Sequence, residues 1–502
     1  MRALILDGYT DEPAGLGVPP YIGTYPRYAY GVLDKYRVET DYITIDKFRS
    51  SKIDLEKYDL LICICGFHTP GKYLNAKPAD LKEMAIIASK FNGIKILGGP
   101  AATRFGSSQI GGTLKDEKKY KEVFDIVAEG DLEAVLEDFL KFGLERVDNK
   151  RYRSYEELRE IAIRGAKIVK KHPNFPYIIA EIESYRGCPR ALSKGCSFCV
   201  EPRRFGLPKF RDEKDIYEEV KALSEEGVKF FRVGRQPCIY SYKAIDTEKE
   251  EVPKPNVEAI EKLFKSLSSL KPRVLHIDNA NPAVIARHEE ESREITKILV
   301  KYCTSGNVAA FGVESFDEKV IKANNLLTTP EDTLKAIEIL NEIGGERGET
   351  GLPKLLPGIN LLFGLKGESK KTFKINYEYL KLIYDKGLML RRINIRQVVP
   401  FYSTDISLKD VKKAEKRREL FLWFKKKIRE EIDNKMLRRV VPKGTILKDV
   451  FMEVKKDNLY FGRQFGSYPL LVGVKDKVEL KKFYDVKVVD YGMRSITGEI
   501  YL

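Results

Sequence analysis

Histidine and glutamine are nearly missing from this 502-residue chain, with four of each, and tryptophan occurs once. Lysine, glutamate and isoleucine abound instead, a bias that resembles a thermophile's proteome. No run of about eighteen apolar residues occurs, which excludes an apolar membrane-spanning helix and predicts no membrane partner. The opening MRALILDGY reads as a strand and not as a signal peptide. Cysteine is sparse, seven in all, and three of the seven share one short motif. That pattern argues against a disulfide framework and for a reducing cytoplasm.

The motif is Tyr185-Arg-Gly-Cys188-Pro-Arg-Ala-Leu-Ser-Lys-Gly-Cys196-Ser-Phe-Cys199, spaced Cys-x7-Cys-x2-Cys. An apolar alternating run, Tyr177 to Ile182, leads into it and reads as a strand. The cysteines are therefore expected in the loop at that strand's C-terminal end, where parallel α/β folds collect their chemistry. Three thiolates suit a soft metal or an iron–sulfur cluster. A structural zinc takes four ligands, and no fourth Cys or His follows at zinc-finger spacing. A zinc completed by Cys238 or a distant histidine stays open, as do plain unligated thiols.

This stretch resembles the radical SAM superfamily, whose motif is Cys-x3-Cys-x2-Cys with an aromatic residue before the last cysteine. Phe198 and the close pair Cys196-x2-Cys199 carry the likeness. The first gap departs, with seven residues in place of three. The resemblance implies a 4Fe–4S cluster on Cys188, Cys196 and Cys199, which would be both metal ligands and catalytic centre. It further implies S-adenosylmethionine (SAM) at the open iron, reductive cleavage to a 5′-deoxyadenosyl radical, and an electron donor such as a ferredoxin or flavodoxin.

Alternation of strands and helices over 1–145 predicts a doubly wound parallel sheet, with strands at Arg2–Asp7, Val38–Thr44, Asp59–Cys65, Lys95–Leu97 and Phe124–Val127. It resembles the cobalamin-binding domain placed before many radical SAM barrels, with Gly98-Gly99-Pro100 and Ala128-Glu129-Gly130-Asp131 at the corresponding turns. That family's Asp-x-His-x-x-Gly motif is absent; the first strand ends Asp7-Gly8-Tyr9, and the domain's one histidine is His68. Cobalamin is therefore an implied cofactor without its usual ligand. Cys63 and Cys65 share a face of an apolar strand and read as core, with an auxiliary cluster as the alternative. Asp11–Tyr28, rich in Gly, Pro and Tyr, reads as a long non-helical loop. Residues 146–176 read as a helical linker.

Residues 177–405 give six strand–helix units, which resemble a partial radical SAM barrel. Helices are expected at Asp212–Glu226, Pro330–Ile343 and Ser369–Lys386, capped by Thr329 and Ser369. The likeness implies SAM contacts from Phe198, from Gly234, Arg235 and Gln236 after the second strand, and from Glu314 and Ser315 after the fourth. Gly358, Gly364 and Gly367 would meet the adenine, and Gln397 to Thr404 resembles the sixth-strand exit. The usual Gly-Gly-Glu of the second strand is absent; Gln236 is the candidate acceptor from the ammonium, and Arg235 the candidate donor to the carboxylate. His276 and Asn279 fall at the end of strand three; His276 reads equally as an acid/base group or as a satisfied structural histidine. Tyr240–Lys254 reads as a surface loop, and Cys303 as structural.

The formal net charge is +15, and residues 411–502 hold 23 Lys+Arg against 13 Asp+Glu. Such a basic end suggests a polyanionic partner, with a solvated thermophile-style surface as the alternative. A basic helix is expected over 408–437, with Leu420, Phe424 and Ile428 on its apolar face and Trp423 packed. Short strands beyond Pro442 suggest a small β-barrel at 441–502, which resembles a TRAM domain and implies RNA binding, with Arg463 and Arg494 as surface candidates. The expected order is thus an α/β doubly wound domain, a linker, a partial (β/α)6 barrel, a basic helical linker (406–440) and an OB-like barrel. The expected activity is radical SAM modification of an RNA such as tRNA. The alternatives are a cobalamin-type radical SAM enzyme acting on a small molecule or protein, and an RNA-binding protein with a structural metal.

Overall fold

The computed structural model describes residues 1–11, 20–66, 77–103, 105, 118–401 and 403–502. His68 and Tyr402 lie outside them. The chain forms two compact α/β units: Met1–Ile182 with Arg211–Phe231 and Phe401–Ser403, and Glu183–Phe210 with Arg232–Pro400 and Thr404–Leu502.

The first unit carries β1 (Arg2–Asp7), β2 (Tyr21–Ile22), β3 (Glu39–Thr44), β4 (Leu60–Ile64), β5 (Ile94–Gly98) and β6 (Ile126–Val127). All but β2 form a parallel sheet in the order β3-β1-β4-β5-β6. Strand order reverses between β1 and β4, the switch point of a doubly wound sheet. β4 is buried at all five residues, as a strand covered on both faces must be. Cys63 and Cys65 are 0% exposed there, and burial drives the Cys63 thiol far above its usual range. At the end of β1, Asp7 accepts the Tyr9 N–H at 3.0 Å and the Tyr42 O–H at 2.9 Å. The expected loop Asp11–Tyr28 is corrected. Residues 12–19 lie outside the described set, but β2 pairs in parallel with β7 (Ile179–Glu183), and Thr24–Lys35 is a helix. Its buried Tyr25, Tyr28, Ala29, Val32 and Leu33 supply a helical stripe, and Pro26 sits in the tolerant first turn. Over 146–176 the helix Tyr155–Gly165 starts at a Ser154–Glu157 capping box.

The second unit contains β8 (Tyr185–Arg186), β9 (Lys209–Phe210), the end of β10 (Phe230–Gly234), β11 (Val274–Ile277), β12 (Asn279–Ala280), β13 (Asn307–Glu314), β14 (Leu355–Phe363) and β15 (Arg392–Gln397). β12 to β15 form a parallel sheet in chain order. Helices Pro330–Gly344 and Lys370–Asp385 return the chain between strands, and Thr329 and Ser369 each cap with a reciprocal box. Tyr240–Lys254 is not wholly a surface loop: Tyr240 and Tyr242 are 0% exposed, and Tyr240 bonds Thr296 Oγ1 at 2.8 Å. Two tyrosines in a charged stretch were anchors that its overall polarity hid.

The basic helix is broken. It runs as Leu408–Lys416, Arg418–Ile428, a π turn Arg429–Asp433, and Asn434–Val440. The restart at Arg418 rephases the buried face to Phe421, Phe424 and Ile428, and the phenylalanines meet Phe363 and Phe373. Leu420 is displaced to partial exposure, and Trp423 is 55% exposed, with Lys427 Nζ 5.2 Å from its ring. Finally β16 (Ile446–Lys456), β17 (Leu459–Gln464), β18 (Leu471–Val474), β19 (Phe483–Tyr491) and β20 (Ser495–Ile500) close a barrel in the order β16-β17-β18-β20-β19.

Candidate active site

Glycine and turn geometry shape the cysteine loop. Gly187 has a φ of 83°, and a Cβ there would lie 2.3 Å from Leu207 O. The long gap between Cys188 and Cys196 is filled by a 3-10 turn, Pro189–Ser193, followed by Lys194 and Gly195 at positive φ. Asn325 Nδ2 ties this turn down, donating to Ser193 O at 3.1 Å and Gly195 O at 3.0 Å. The extra residues therefore make a turn and leave Cys188 and Cys196 on one cavity. Arg203 Nη1 donates to the carbonyls of Cys196 (2.9 Å) and Cys199 (2.6 Å), which fixes the second half of the loop.

Cys188, Cys196 and Cys199 line a cavity of about 450 Å3, shared with Phe198, Arg235, Gln236 and Glu314. Burial pushes the Cys188 thiol up to about 12 and raises Cys196 and Cys199 as well. Each is thus a neutral thiol until a cation arrives, and a bound metal deprotonates its thiols outright. Among the described residues, no three His, Cys, Asp or Glu side chains stand close enough to hold one metal ion. Sulfurs on a single tetrahedral zinc sit about 3.8 Å apart, a spacing set by the zinc–sulfur bond; a cluster spreads its ligands over several irons. Cys238, weighed above as a zinc ligand, is not on the cavity wall; its sulfur accepts the Asn281 N–H at 3.2 Å.

Gln236 is 2% exposed. Its Nε2 donates to Val233 O at 3.3 Å, and its Oε1 has no hydrogen-bond partner. An orphaned buried acceptor costs about 1–3 kcal/mol, so a donor bound in the cavity would be held strongly. Glu183 accepts from Arg186 Nε at 3.0 Å and lies 3.3 Å from Arg235 Nε, so Arg235 is oriented by an acid on the same wall. Glu201 accepts the Gly187 N–H at 2.9 Å, and burial raises its carboxyl. Glu314 has a left-handed φ of 63°; burial raises it to about 7, with Arg396 acting in the opposite direction.

Other expected contacts fall elsewhere. Gly234, Ser315, Gly358, Gly364 and Gly367 do not line the cavity. Ser315 Oγ accepts the Asp317 N–H at 3.1 Å, Gly358 makes room for Arg392, and the Gly364 N–H goes to Glu368 at 2.6 Å. Asn279 does line the cavity, whereas His276 does not. His276 Nε2 faces Ser305 O at 3.2 Å and its Nδ1 accepts the Ser467 N–H at 3.1 Å, so it is the satisfied structural histidine, pulled down to about 4 chiefly by burial. Missed on the wall were Glu183, Arg186, Arg190, Glu201 and Asn360. Asn360 is a polar residue in an apolar strand, a signal that could have found it.

The two arginines expected at the barrel surface differ. Arg463 is 1% exposed and pairs with Glu453 through Nε and Nη2 (2.9 and 3.0 Å), which corrects its surface placement. Arg494 is exposed, 3.5 Å from Asp433. Phe465 packs into the barrel against Phe451 at 5.3 Å, and Tyr468 donates its O–H to Asp278 Oδ1 at 2.6 Å. Residues 441–502 hold eleven Lys+Arg against eight Asp+Glu, so the basic excess resides mainly in the helices before the barrel. Among the described residues, no helix is long and apolar enough to cross a membrane.

Residues 182–380 match the model of the radical SAM superfamily. The chain is 77% identical to the uncharacterized protein MJ0274 of Methanocaldococcus jannaschii over 99% of this chain and 93% of the other. It is 22% identical to the ribosomal protein uS12 methylthiotransferase RimO of Clostridioides difficile over 65% of this chain and 67% of that one. Among solved structures, the cobalamin-dependent SAM radical enzyme OxsB with aqua-cobalamin bound aligns with a TM-score of 0.51 and 12% identity, over 85% of this chain and 56% of that chain.

Proposed function

This chain belongs to one family with MJ0274 and carries a radical SAM domain over residues 182–380, and from that premise we propose that it cleaves SAM to act on a small molecule or a protein. The observation that carries the proposal is one cavity presenting three cysteine thiols and an orphaned Gln236 carbonyl. Cys188, Cys196 and Cys199 would hold a 4Fe–4S cluster. When bound, such a cluster supplies one electron for reductive cleavage of SAM, giving a carbon radical able to abstract hydrogen. Gln236 Oε1 accepts from the SAM ammonium, while Arg235, steered by Glu183, meets its carboxylate. Phe198, Leu326 and Leu327 supply apolar wall that excludes water beside the cysteines. An electron donor such as a ferredoxin or flavodoxin is required.

RNA is the weaker reading of the substrate. Its support was a basic barrel with surface arginines and aromatics, but Arg463 is paired inside and Phe465 is core. A cobalamin in the first unit is a second reading, favoured by the fold shared with an enzyme that carries aqua-cobalamin. The test is anaerobic reconstitution followed by iron analysis and a SAM-cleavage assay. About four irons per chain, and deoxyadenosine formed with dithionite, are expected. A Cys188, Cys196, Cys199→Ala triple variant that still loads its iron would overturn the proposal. A corrinoid absorbance after incubation with cobalamin would add the second reading.

A further inference from the structure

β14 and β15 are in register, with Gly358 beside Arg392, Asn360 beside Asn394 and Leu362 beside Arg396. Alternate residues of a strand share a face, so Arg392, Asn394 and Arg396 share theirs with Asn360, which lines the cysteine cavity. Gly358 keeps that face open: a Cβ there would lie 2.8 Å from Arg392 Cγ. The Asn394 amide lies 3.0 Å from that of Asn360 and 2.7 Å from Arg396 Nη2. The barrel's β17–β18 loop supplies Tyr468, whose ring lies 3.9 Å beneath the Arg392 guanidinium and whose O–H goes to Asp278. Arg232 stands 4.0 Å from the same Asp278.

Asp278 thus stands near Arg232 and, beneath Tyr468, near Arg392, while the charge of Arg396 acts on Glu314. Among the described residues, neither Arg392 nor Arg396 has an ion-pair partner, and Arg392 has an aromatic face in place of an acceptor. Stacking on a ring fixes a guanidinium's plane while leaving its N–H edge available, the arrangement used to take an oxyanion with two parallel bonds. Burial and the neighbouring charges of Arg396 and Arg429 also lower Arg392, as expected of a cation short of counter-charge.

We propose that Arg392 and Arg396 bind an oxyanion of the substrate, a carboxylate or a phosphate, on the face of β14 and β15 that continues into the cysteine cavity. Resting on the SAM reading above, this makes the substrate an anionic molecule whose charged end is held on β15 while another carbon reaches the cavity. Tyr468 then makes the C-terminal barrel part of the substrate site: it orients Arg392, and the barrel need not contact nucleic acid for that purpose.

The experiment is equilibrium dialysis and 31P line-broadening with inorganic phosphate, and dialysis with succinate. It is run on the protein without cluster or SAM, so a failure of the SAM reading leaves it interpretable. The expected result is one saturable site per chain, weakened at least tenfold in Arg392→Gln and Arg396→Gln and largely restored in Arg392→Lys. Lys426→Gln, an exposed cation on the helix Arg418–Ile428, measures non-specific binding. Tighter phosphate assigns a phosphate ester, and tighter succinate a carboxylate. Tyr468→Phe keeps the ring and should retain the site, whereas Tyr468→Ala should weaken it. No saturable binding, or binding equal in wild type and both glutamine variants, overturns the proposal. Should Arg392→Gln unfold, the more exposed Arg396→Gln decides alone.

Discussion

Two sets of arginines, one in each unit, are used in opposite ways. In the first, Arg27 and Arg211 both pair with Glu219, all three side chains are 0% exposed, and Arg27 also donates to Gly23 O and Glu181 O. In the second, Arg392 and Arg396 form no close ion pair among the described residues, and one of them rests on Tyr468. Cysteine divides in the same way: Cys63 and Cys65 are sealed in the first unit's core, whereas Cys188, Cys196 and Cys199 open on a cavity of the second. Saturated partners are a mark of structure; groups aimed at unfilled space are a mark of a site.

The cysteine contrast predicts the largest effect. Alanine at any one of Cys188, Cys196 or Cys199 should abolish SAM cleavage, while Cys63→Ser and Cys65→Ser should keep one cluster's iron and cleave SAM. A reconstituted wild-type protein with roughly eight irons per chain, enough for two four-iron clusters, would break the contrast by making the first unit's cysteines ligands. One cluster per chain also predicts that this protein is no conventional methylthiotransferase, since residues 1–187 contain only Cys63 and Cys65.

The arginine contrast comes next. Glu219→Gln leaves two buried guanidiniums without their counter-charge and should cost about 3–5 kcal/mol in chemical denaturation. Arg392→Gln should cost much less, because no partner is stranded. Equal losses would show that Arg392 is structural.

Acidity offers a third comparison, with opposite signs. Asp7 in the first unit is raised to about 6, by burial against the N–H and O–H bonds that lower it. Between its unfolded value near 4 and about 6 the folded form holds a proton that the unfolded form has lost, so acidification stabilises this unit. His276 in the second unit is lowered to about 4, so between about 6.5 and 4 the unfolded form binds the extra proton and acidification destabilises. Each contribution is on the order of 3 kcal/mol. Asp7→Asn and His276→Gln should change the pH dependence of unfolding between pH 4 and 6.5 in opposite directions; slopes of like sign would refute the assignment.

Smallest is Trp423→Ala. At 55% exposure its loss should shift stability by no more than about 0.5 kcal/mol. A larger loss in a thermal melt would mean that Trp423 is covered by something other than Lys427.

Periodicity made much of the architecture legible. Arg2–Asp7 coincides with its expected bounds, and the capping residues Thr329 and Ser369 sit where a hydroxyl before a helix can satisfy orphan N–H groups. These are local signals, carried by residues two to four apart. The broken basic helix was not legible, because a π turn and a rephased face depend on the phenylalanines Phe363 and Phe373 that the helix meets from afar. Arg463 failed for the same reason: Glu453 is ten residues away in sequence and adjacent only across the β16–β17 pair.

The spacing of the three cysteines and the turn residues between them were determined by the sequence alone, since glycine and proline dictate the backbone's course over so short a loop. Which groups share the cavity with those cysteines was decided by tertiary structure. Gln236 comes from the turn after β10, Glu314 from β13 and Asn360 from β14, and Tyr468 reaches Arg392 from a loop of the terminal barrel. No period within one segment encodes a meeting between segments; it is set when parallel strands register and the barrel docks, and with it the difference between a charge that is satisfied and one that awaits a ligand.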